Sequence, residues 1–288
     1  MIGSAVGDAL GSSLEGFKTR ETEIEGLKPR RWTDDTHMMI GVAESLIAKG
    51  KLDVEHMAQT FLKNWEAEPW RGYGPGPPKI FRMMRDGVSW REAARSLYGG
   101  SGSFGNGAAM RIAPIGLFYY DDIEGLRASA YASAQITHAH ELGMEGAALQ
   151  AYAVALAVKE KPESFNPHKF IEKLKVFTRS KVYKDKLETA ESLIDEENKY
   201  RVVRMLGNGV EAFNSVPTAI YCFTKNYQSY TKAVLYAVTL GGDTDTIGAM
   251  TGAIAGSLHG IEGIPNSWRK SVEKHEYIEK LARELWRI

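Results

Sequence analysis

Apolar residues are spaced three and four positions apart along most of the chain, which is the spacing of helices with one buried face. One helix is predicted after Asp35, with Thr33 as its N-cap, from the apolar positions Met39, Val42, Ala43, Leu46 and Ile47. The same spacing predicts two more helices, one from Met57, Phe61, Leu62 and Trp65 and one from Leu149, Tyr152, Ala153, Leu156 and Ala157. Another is predicted to start at Ser215-Val216-Pro217, because the missing N–H of proline costs little in a first turn, and a further one contains Val234, Leu235 and Val238.

Alternating strand patterns are nearly absent, so the predicted fold is all-α, with about ten or more helices. No linker rich in proline or serine divides the chain, and we expect one compact multi-helix domain over residues 1–288. Gly248, Gly252 and Gly256 fall on one stripe of a helix after Asp245. This stripe predicts a neighbouring helix that approaches closely at the centre of the domain.

The charge balance and the cysteine content exclude several classes of protein. The 288 residues contain 36 Lys and Arg against 36 Asp and Glu, and a net charge of zero disfavours nucleic acid and anionic membranes as partners. The single Cys222 excludes an internal disulfide and cysteine-rich zinc sites. The N-terminal residues lack a basic segment, so we expect a cytoplasmic protein. The uncharged stretch from Thr246 to Leu258 is shorter than the roughly 20 residues of a membrane span and predicts a buried helix.

Two carboxylate clusters stand at predicted helix starts, far apart in the sequence. Asp34 and Asp35 lie in Trp32-Thr33-Asp34-Asp35-Thr36, and Asp243 and Asp245 lie in the segment GGDTDT at 241–246. Either cluster alone is equally well explained as a helix cap. Together they offer carboxylate and hydroxyl oxygens, which suit Mg²⁺, Mn²⁺ or Ca²⁺ and are poor ligands for zinc.

Convergence of the two clusters would place four negative charges together, and these charges would require compensation. Two divalent ions would balance them, or one ion assisted by the positive ends of the helices. Glu15, near the end of the first helix, is either a fifth carboxylate of this group or a solvated surface residue.

Two other interpretations of the second cluster disagree with the sequence. A calcium-binding EF-hand loop beginning at Asp243 would need an oxygen ligand at its fifth position and Glu at its twelfth, where Ile247 and Ile254 stand. A phosphatase with an aspartate nucleophile also uses two alternate aspartates. That class requires a parallel sheet, and the pattern predicts none.

A glycine-rich loop lies between Gly99 and Gly107, with five glycines in nine residues. Its segment GSGSFG at 100–105 matches the dinucleotide-binding pattern, but the preceding WREAARSLY predicts a helix and not the strand that this pattern needs. The loop is either a plain turn or a place where backbone amides surround an anion such as a diphosphate.

The two histidines of THAHELG at 137–143 invite comparison with zinc proteases. A zinc-binding pattern that begins at His140 would need a second histidine at position 144, where Met144 stands. A histidine beside the glycine loop can instead donate a hydrogen bond to a phosphate, or it can be structural.

Several motifs together resemble the ADP-ribosylglycohydrolase family, and the likeness runs along nearly the whole chain. They are GDALGSSLEG at 7–16, WTDDT at 32–36, GNGAAMR at 105–111, THAHELG at 137–143, LGNG at 206–209 and GGDTDTIG at 241–248. RGYG at 71–74, GSFGNGAAMR and LGNGVEAFNSVPTAIYCF at 206–223 resemble most the branch that cleaves ADP-ribosyl-serine and poly(ADP-ribose).

The resemblance implies an all-helical fold with two Mg²⁺ or Mn²⁺ ions in a central cleft. The metal ligands it implies are Glu15, Thr33, Asp34, Asp35, Asp243, Asp245 and Thr246. The ADP-ribose contacts it implies are Asp34, Ser101, Gly102, Ser103, Phe104, Gly105, Asn106, Gly107, His138 at the diphosphate and Val210 beside the adenosine or ribose. The metals would hold the distal ribose and position a water near C1″. The transition state would resemble an oxocarbenium ion, and Asp243 or Glu15 would act as general acid or base for the leaving group and the water.

The predicted function is therefore metal-dependent hydrolysis of the bond between ADP-ribose and an acceptor. The expected acceptors are protein serine, poly(ADP-ribose) and acetate in O-acetyl-ADP-ribose, so the partners are ADP-ribosylated proteins or small molecules containing ADP-ribose. One alternative is an arginine-directed hydrolase. The other is a non-catalytic binding or structural member of the fold, and the intact carboxylates argue against this second alternative. Arg71 and Tyr73 are expected at the cleft mouth, where Arg71 would repel a guanidinium leaving group, although Glu66 and Glu68 lie nearby.

Overall fold

The computed structural model describes residues 1–15 and 28–288, which form sixteen α-helices and four short 3₁₀ helices. These two ranges contain no strand, in agreement with the all-α prediction, and their only ladder contact is a single bridge between Gly105 and Glu211. Gly16, the last residue of the motif at 7–16, lies outside the described residues.

The helices of the described residues are numbered in chain order. The first eight are α1 (Ile2–Gly11), α2 (Asp34–Lys49), α3 (Val54–Ala67), α4 (Gly76–Arg85), α5 (Trp90–Ser96), α6 (Ala113–Phe118), α7 (Ile123–Gln135) and α8 (Glu141–Lys159). The second eight are α9 (Pro167–Phe177), α10 (Lys181–Ser192), α11 (Lys199–Leu206), α12 (Ala212–Lys225), α13 (Tyr230–Val238), α14 (Thr244–His259), α15 (Asn266–Ser271) and α16 (His275–Leu285).

Helix α2 begins as predicted and ends at a glycine C-cap. The Thr33 side chain accepts a hydrogen bond from the backbone N–H of Asp35, which confirms Thr33 as the N-cap. Gly50 follows the last turn with a positive φ of 63° and donates its N–H to the carbonyl of Leu46. The helices predicted around Phe61, Leu149 and Val234 are also present, as α3, α8 and α13.

The predicted start of α12 at Ser215-Val216-Pro217 is wrong. The helix begins at Ala212, and Pro217 lies inside it and is buried. The backbone N–H of Ser215 already bonds to the carbonyl of Glu211, so the first turn forms ahead of the proline. Burial of α12 from Ser215 to Thr224 stabilises the helix enough to tolerate the one hydrogen bond that Pro217 cannot donate.

Helices α1, α8, α12 and α13 pack around α14, which is buried along most of its length. The closest of these contacts is between α1 and α14, where the predicted glycine stripe meets glycines of α1. A methyl group on Gly7 would lie 2.0 Å from the carbonyl oxygen of Gly248, and one on Gly252 would lie 2.2 Å from that of Gly3. Glycine at these positions is what permits the backbones to touch.

In the described ranges, no helix is long and apolar enough to cross a membrane. The uncharged stretch from Thr246 to Leu258 lies within α14 and is the buried helix that was predicted.

Candidate active site

The close approach of α1 and α14 brings the two carboxylate clusters together. Both clusters stand at helix N-termini, that of α2 and that of α14, and these ends face one cavity of about 340 Å³. Its acidic lining consists of Glu15, Asp34, Asp35, Asp243 and Asp245, and the hydroxyl residue Thr246 lies among them. Because α1 ends beside the start of α14, Glu15 reaches the same cavity, as its predicted fifth-carboxylate role requires.

A further carboxylate, Asp8 of α1, holds the start of α2 and was not predicted as a site residue. One of its oxygens accepts hydrogen bonds from the backbone N–H and the hydroxyl of Thr33, both at 3.0 Å. The other oxygen accepts from the backbone N–H of Thr36 at 3.0 Å and from its hydroxyl at 2.6 Å. Asp8 thus fixes the residues on both sides of Asp34 and Asp35. The signal in the sequence was a buried-type helix interrupted by a single acidic residue.

Burial and the convergence of the carboxylates raise the pKa values of several of them. Burial first, and then the charge of Asp245, raise the pKa values of Asp34 and Asp35 well above the usual range. Burial, followed by the charge of Asp243, raises the pKa of Asp245 to about 7. The pKa of Glu15 is also raised, chiefly by the negative charge of Asp245. No lysine or arginine among the described residues lines this cavity, so the negative charges face one another uncompensated.

The donor set fits a hard divalent cation. All the candidate ligands are carboxylate or hydroxyl oxygens, and Oδ2 of the buried Asp35 has no hydrogen-bond partner in the described part of the chain. The hydroxyl of Thr246 lies 3.5 Å from the other oxygen of Asp35 and so bridges the two clusters. As they stand, no three His, Cys, Asp or Glu side chains in residues 1–15 and 28–288 converge closely enough to hold an ion.

The glycine loop forms the opposite wall of the cavity. It is held against the segment before α12, because Asn106 donates its backbone N–H to the carbonyl of Val210 and Ala212 donates to the carbonyl of Phe104. The Asn106 side chain donates to Oδ2 of Asp243 at 2.5 Å. The loop is therefore connected directly to the second carboxylate cluster.

Asn208, in the motif LGNG, positions the turn that carries Asp243. Its carbonyl accepts the backbone N–H of Asp243 at 2.9 Å, and its side chain donates to the carbonyl of Leu240. Gly242 has a φ of +73°, and a methyl group there would lie 2.2 Å from the Asn208 carbonyl oxygen. A side chain at position 242 would therefore displace this turn.

The two histidines have different surroundings. His140 is the N-cap of α8, where its ring accepts the backbone N–H of Leu142. His138 is buried, lines the cavity and lies against Gly105 and Gly107 of the loop. Burial, and then the charge of Arg111, lower the pKa of His138 to about 3, so its ring is neutral near pH 7.

The predicted ADP-ribose contacts divide between the cavity and its surroundings. Ser103, Gly105, Asn106, Gly107, His138 and Val210 line the cavity, whereas Ser101, Gly102 and Phe104 do not. Phe104 is 44% exposed and packs against His140 and Phe213 outside it. Thr33, a predicted metal ligand, also lies outside the lining. Lining residues that were not predicted are Gly72, Gly74, Pro75, Gly76, Pro77, Tyr98, Met110 and Thr137.

Comparison with known proteins shows the family to which this chain belongs. The family model for ADP-ribosylglycohydrolase matches residues 1–288. The chain belongs to the ADP-ribosylglycohydrolase family. It is 35% identical over 340 residues to the ADP-ribosylhydrolase ARH3 of Bos taurus, with 100% of this chain and 91% of that protein covered. It is 26% identical to the ADP-ribosylarginine hydrolase Tri1 of Serratia proteamaculans, with 99% of this chain and 77% of that protein covered.

A solved structure of an ADP-ribosylglycohydrolase-related protein complex superposes with a TM-score of 0.78 at 27% identity, covering 99% of this chain and 94% of that one. The fold expected from the family resemblance is therefore confirmed. Membership of the ADP-ribosylglycohydrolase family also confirms the predicted class of enzyme, a hydrolase of ADP-ribosyl bonds.

Within this family fold, the expected repulsion by Arg71 at the cleft mouth is wrong. Arg71 is buried and does not line the cavity, and its guanidinium pairs with Glu273 at 2.7 Å and with Glu68. It also stacks on the ring of Trp32, 3.6 Å from the centroid. Glu68 and Glu273 neutralise its charge, so Arg71 anchors the rim segment and cannot repel a guanidinium.

Tyr73, the other residue expected at the mouth, bonds through its hydroxyl to Nδ1 of His37 at 2.9 Å and does not line the cavity. Glu68 does not turn towards the cavity either, because Arg71 and Lys274 hold its carboxylate. The rim between Gly72 and Pro77 carries no carboxylate.

Proposed function

We propose that this enzyme hydrolyses the O-glycosidic bond between ADP-ribose and an acceptor, which is a protein serine, the next ribose of poly(ADP-ribose), or acetate. The observation that carries the chemistry is the cavity itself, in which the carboxylates of two helix N-termini face a glycine-rich loop and a neutral histidine. The carboxylates suit metal ions that hold a ribose. The glycine-rich loop and the histidine suit a diphosphate.

Two Mg²⁺ or Mn²⁺ ions are proposed to be held by Glu15, Asp34, Asp35, Asp243, Asp245 and Thr246. The oxygen donors, the unpaired Oδ2 of Asp35 and the excess of negative charge support this assignment. Thr33 is implied as a ligand by the family resemblance alone, since it lies outside the cavity lining and its hydroxyl bonds to Asp8 and to the N–H of Asp35. When bound, such ions orient ribose hydroxyls and lower the pKa of a water molecule.

The chain's own residues would bind and orient the rest of the substrate. Amides of the loop from Ser101 to Gly107 and the ring of His138 would contact the diphosphate, and Asp34 would contact the distal ribose. Val210 is 62% exposed beside the loop and offers an apolar surface to the adenosine or its ribose.

The carboxylates would also stabilise positive charge as the C1″ bond breaks. We assign proton transfer between the water and the leaving group to Asp243 or Glu15. Asp243 is the better placed of the two, because Asn106 and Asn208 both hold it, whereas Glu15 is exposed at the end of α1.

The choice against arginine as the acceptor is supported by the comparisons, because identity to the ADP-ribosylarginine hydrolase Tri1 is 26%, against 35% to ADP-ribosylhydrolase ARH3. The rim supports it too. A leaving guanidinium would prefer a carboxylate at the mouth, and the segment from Gly72 to Pro77 offers none.

The test is the ratio of kcat/KM for a serine-linked and an arginine-linked ADP-ribosyl peptide of matched sequence. We expect a ratio well above one, with free ADP-ribose released also from poly(ADP-ribose) and from O-acetyl-ADP-ribose. A ratio below one would contradict the acceptor assignment and leave the enzyme class unchanged. Chelator in a parallel set of reactions controls for metal-independent hydrolysis.

A further inference from the structure

Arg111 is the residue of the motif GNGAAMR for which the proposed function gives no role. It is fully buried, and no carboxylate pairs with it in the described part of the chain. Burial lowers its pKa to about 9, so it remains a cation near neutral pH. Its charge is met by the ring of Phe61, 4.7 Å away, and by carbonyl and hydroxyl oxygens.

The guanidinium of Arg111 connects the glycine loop with the start of the segment that carries His138. It donates to the carbonyl of Gly107 at 3.2 Å and to that of Ser133 at 2.8 Å. It also donates to the hydroxyl of Thr137 at 2.7 Å. An arginine has only donors, so the oxygen of Thr137 must be the acceptor in this last bond.

The hydroxyl of Thr137 has one proton, and its position determines the state of the neighbouring ring. Thr137 is 1% exposed, and Nδ1 of His138, at 2.7 Å, is the one acceptor for that proton among the described residues. Because Thr137 donates to Nδ1, this nitrogen carries no hydrogen. The neutral imidazole then carries its proton on Nε2.

The Nε2 edge of the ring faces the glycine loop and the cavity. A methyl group on Gly107 would lie 2.6 Å from Cε1 and 2.9 Å from Nε2 of His138. One on Gly105 would lie 3.4 Å from Nε2. The absence of side chains at these two positions leaves this edge open towards a ligand.

We propose that Arg111 and Thr137 are positioning residues that hold His138 as the Nε2–H tautomer, so that the neutral ring donates a hydrogen bond to an anionic group bound beside the glycine loop. This inference rests on the proposed function for the identity of that group, a diphosphate. A neutral donor of fixed orientation binds a phosphate oxygen without adding a charge that changes with pH.

The first measurement is the tautomer in the free, metal-free enzyme, read from the imidazole ¹⁵N resonances of the seven histidines. His138→Gln identifies the resonances of His138. We expect a protonated Nε2 and an unprotonated Nδ1 between about pH 5 and 8. A protonated Nδ1 or a doubly protonated ring in this range would overturn the proposal. The tautomer itself is read in the wild-type enzyme, and His138→Gln serves only to assign the resonances.

The second measurement compares Thr137→Val, which keeps the shape but removes the hydroxyl, with Thr137→Ser, which keeps the hydroxyl. We expect Thr137→Val to alter the His138 nitrogen shifts and to raise the Kd of ADP-ribose about tenfold, and Thr137→Ser to retain both wild-type values. Unchanged shifts and an unchanged Kd in Thr137→Val would overturn the proposal. Failure of the proposed function would appear differently, as an Nε2–H ring in an enzyme that releases no ADP-ribose.

Discussion

At the scale of single residues, the cleft depends on amides that orient carboxylates. Asn106 donates to Oδ2 of Asp243, and the carbonyl of Asn208 receives the backbone N–H of the same residue. Both the side chain and the backbone of Asp243 are therefore held in place. A group that transfers a proton at a defined atom requires such a fixed position. Neither asparagine has another charged partner in the described residues.

Replacing Asp243 by alanine removes the proposed proton carrier without touching the packed core. We expect kcat to fall by about 100- to 10,000-fold while the far-ultraviolet circular dichroism stays helical. The matched control is Asp185→Ala on the exposed face of α10, where Asp185 pairs with Lys181. Undiminished turnover in Asp243→Ala would show that the chemistry lies elsewhere.

Asp8 is a buried carboxylate whose partners are all donors. In Asp8→Asn, the amide group replaces one acceptor oxygen and meets the N–H and hydroxyl groups of Thr33 or Thr36. We expect the free energy of unfolding in urea to fall by about 2–4 kcal/mol. Thr36→Val, which removes one of these hydrogen bonds, should cost about 1 kcal/mol. Equal costs in the two variants would contradict the central role of Asp8.

At the scale of elements, the contact between α1 and α14 determines where the two clusters lie. Gly3, Gly7 and Gly11 of α1 face Gly252, Gly248 and the start of α14. A methyl group on Gly11 would lie 2.3 Å from the carbonyl oxygen of Thr244. Glu15 and Asp245 thus reach one cavity, because α1, which ends shortly before Glu15, touches the backbone of α14, whose first turn contains Asp245.

Gly7→Ala tests this contact directly, because the new methyl group would lie 2.0 Å from the carbonyl oxygen of Gly248. The helices must separate, and we expect a loss of about 3 kcal/mol in the free energy of unfolding together with reduced activity. Gly256→Ala on the same stripe is the control, since its nearest neighbour would be Cα of Gly3 at 3.4 Å. That variant should be neutral or slightly more stable, through better helix propensity. Similar melting temperatures for the two variants would refute the close-packing argument.

At the scale of the whole molecule, the enzyme brings together carboxylates that repel one another. The pKa values of Asp34, Asp35 and Asp245 are raised because burial and neighbouring negative charges oppose ionisation. A bound divalent cation would relieve this repulsion. Metal binding should therefore be measurable in folding as well as in catalysis.

Exhaustive chelation is expected to abolish turnover, and Mg²⁺ or Mn²⁺ to restore it. At a Mg²⁺ concentration 100 times its Kd, the free energy of unfolding should rise by about 2.7 kcal/mol for each site filled. Asp35→Asn is the matched variant, in which Mg²⁺ should raise the melting temperature much less. Full activity in the chelated enzyme would refute the metal assignment.

Much of the fold could be predicted from the sequence because helices are local. The spacing of apolar residues predicted α2, α3, α8 and α13, and the glycine stripe predicted a close neighbour of α14. The predicted start of α12 was wrong, because Pro217 lies inside the helix. Burial of this helix stabilises it by more than the one missing hydrogen bond costs. Local preference is weak compared with tertiary packing at such positions.

The chemistry of the site was also evident in the sequence, since the type of side chain is a local property. The carboxylates at 34, 35, 243 and 245 predicted an acidic cleft, and the glycine loop was either a plain turn or an anion-binding wall. The four carboxylates and the loop residues Ser103, Gly105, Asn106 and Gly107 line one cavity. Which neighbours neutralise or orient them is not local. Arg71 was expected to present its charge at the mouth, but Glu273, 202 residues away, pairs with it in a buried network.

The sequence by itself therefore determined the helices, the acidic and glycine-rich motifs and the class of enzyme. The tertiary structure alone decided that Asp8 holds Thr33 and Thr36, that Arg71 is neutralised, and that the hydroxyl of Thr137 lies against Nδ1 of His138. The physical reason is that periodicity and side-chain chemistry act over a few residues. Hydrogen bonds and charge compensation depend on distances of about 3 Å between atoms whose positions only the packed fold establishes.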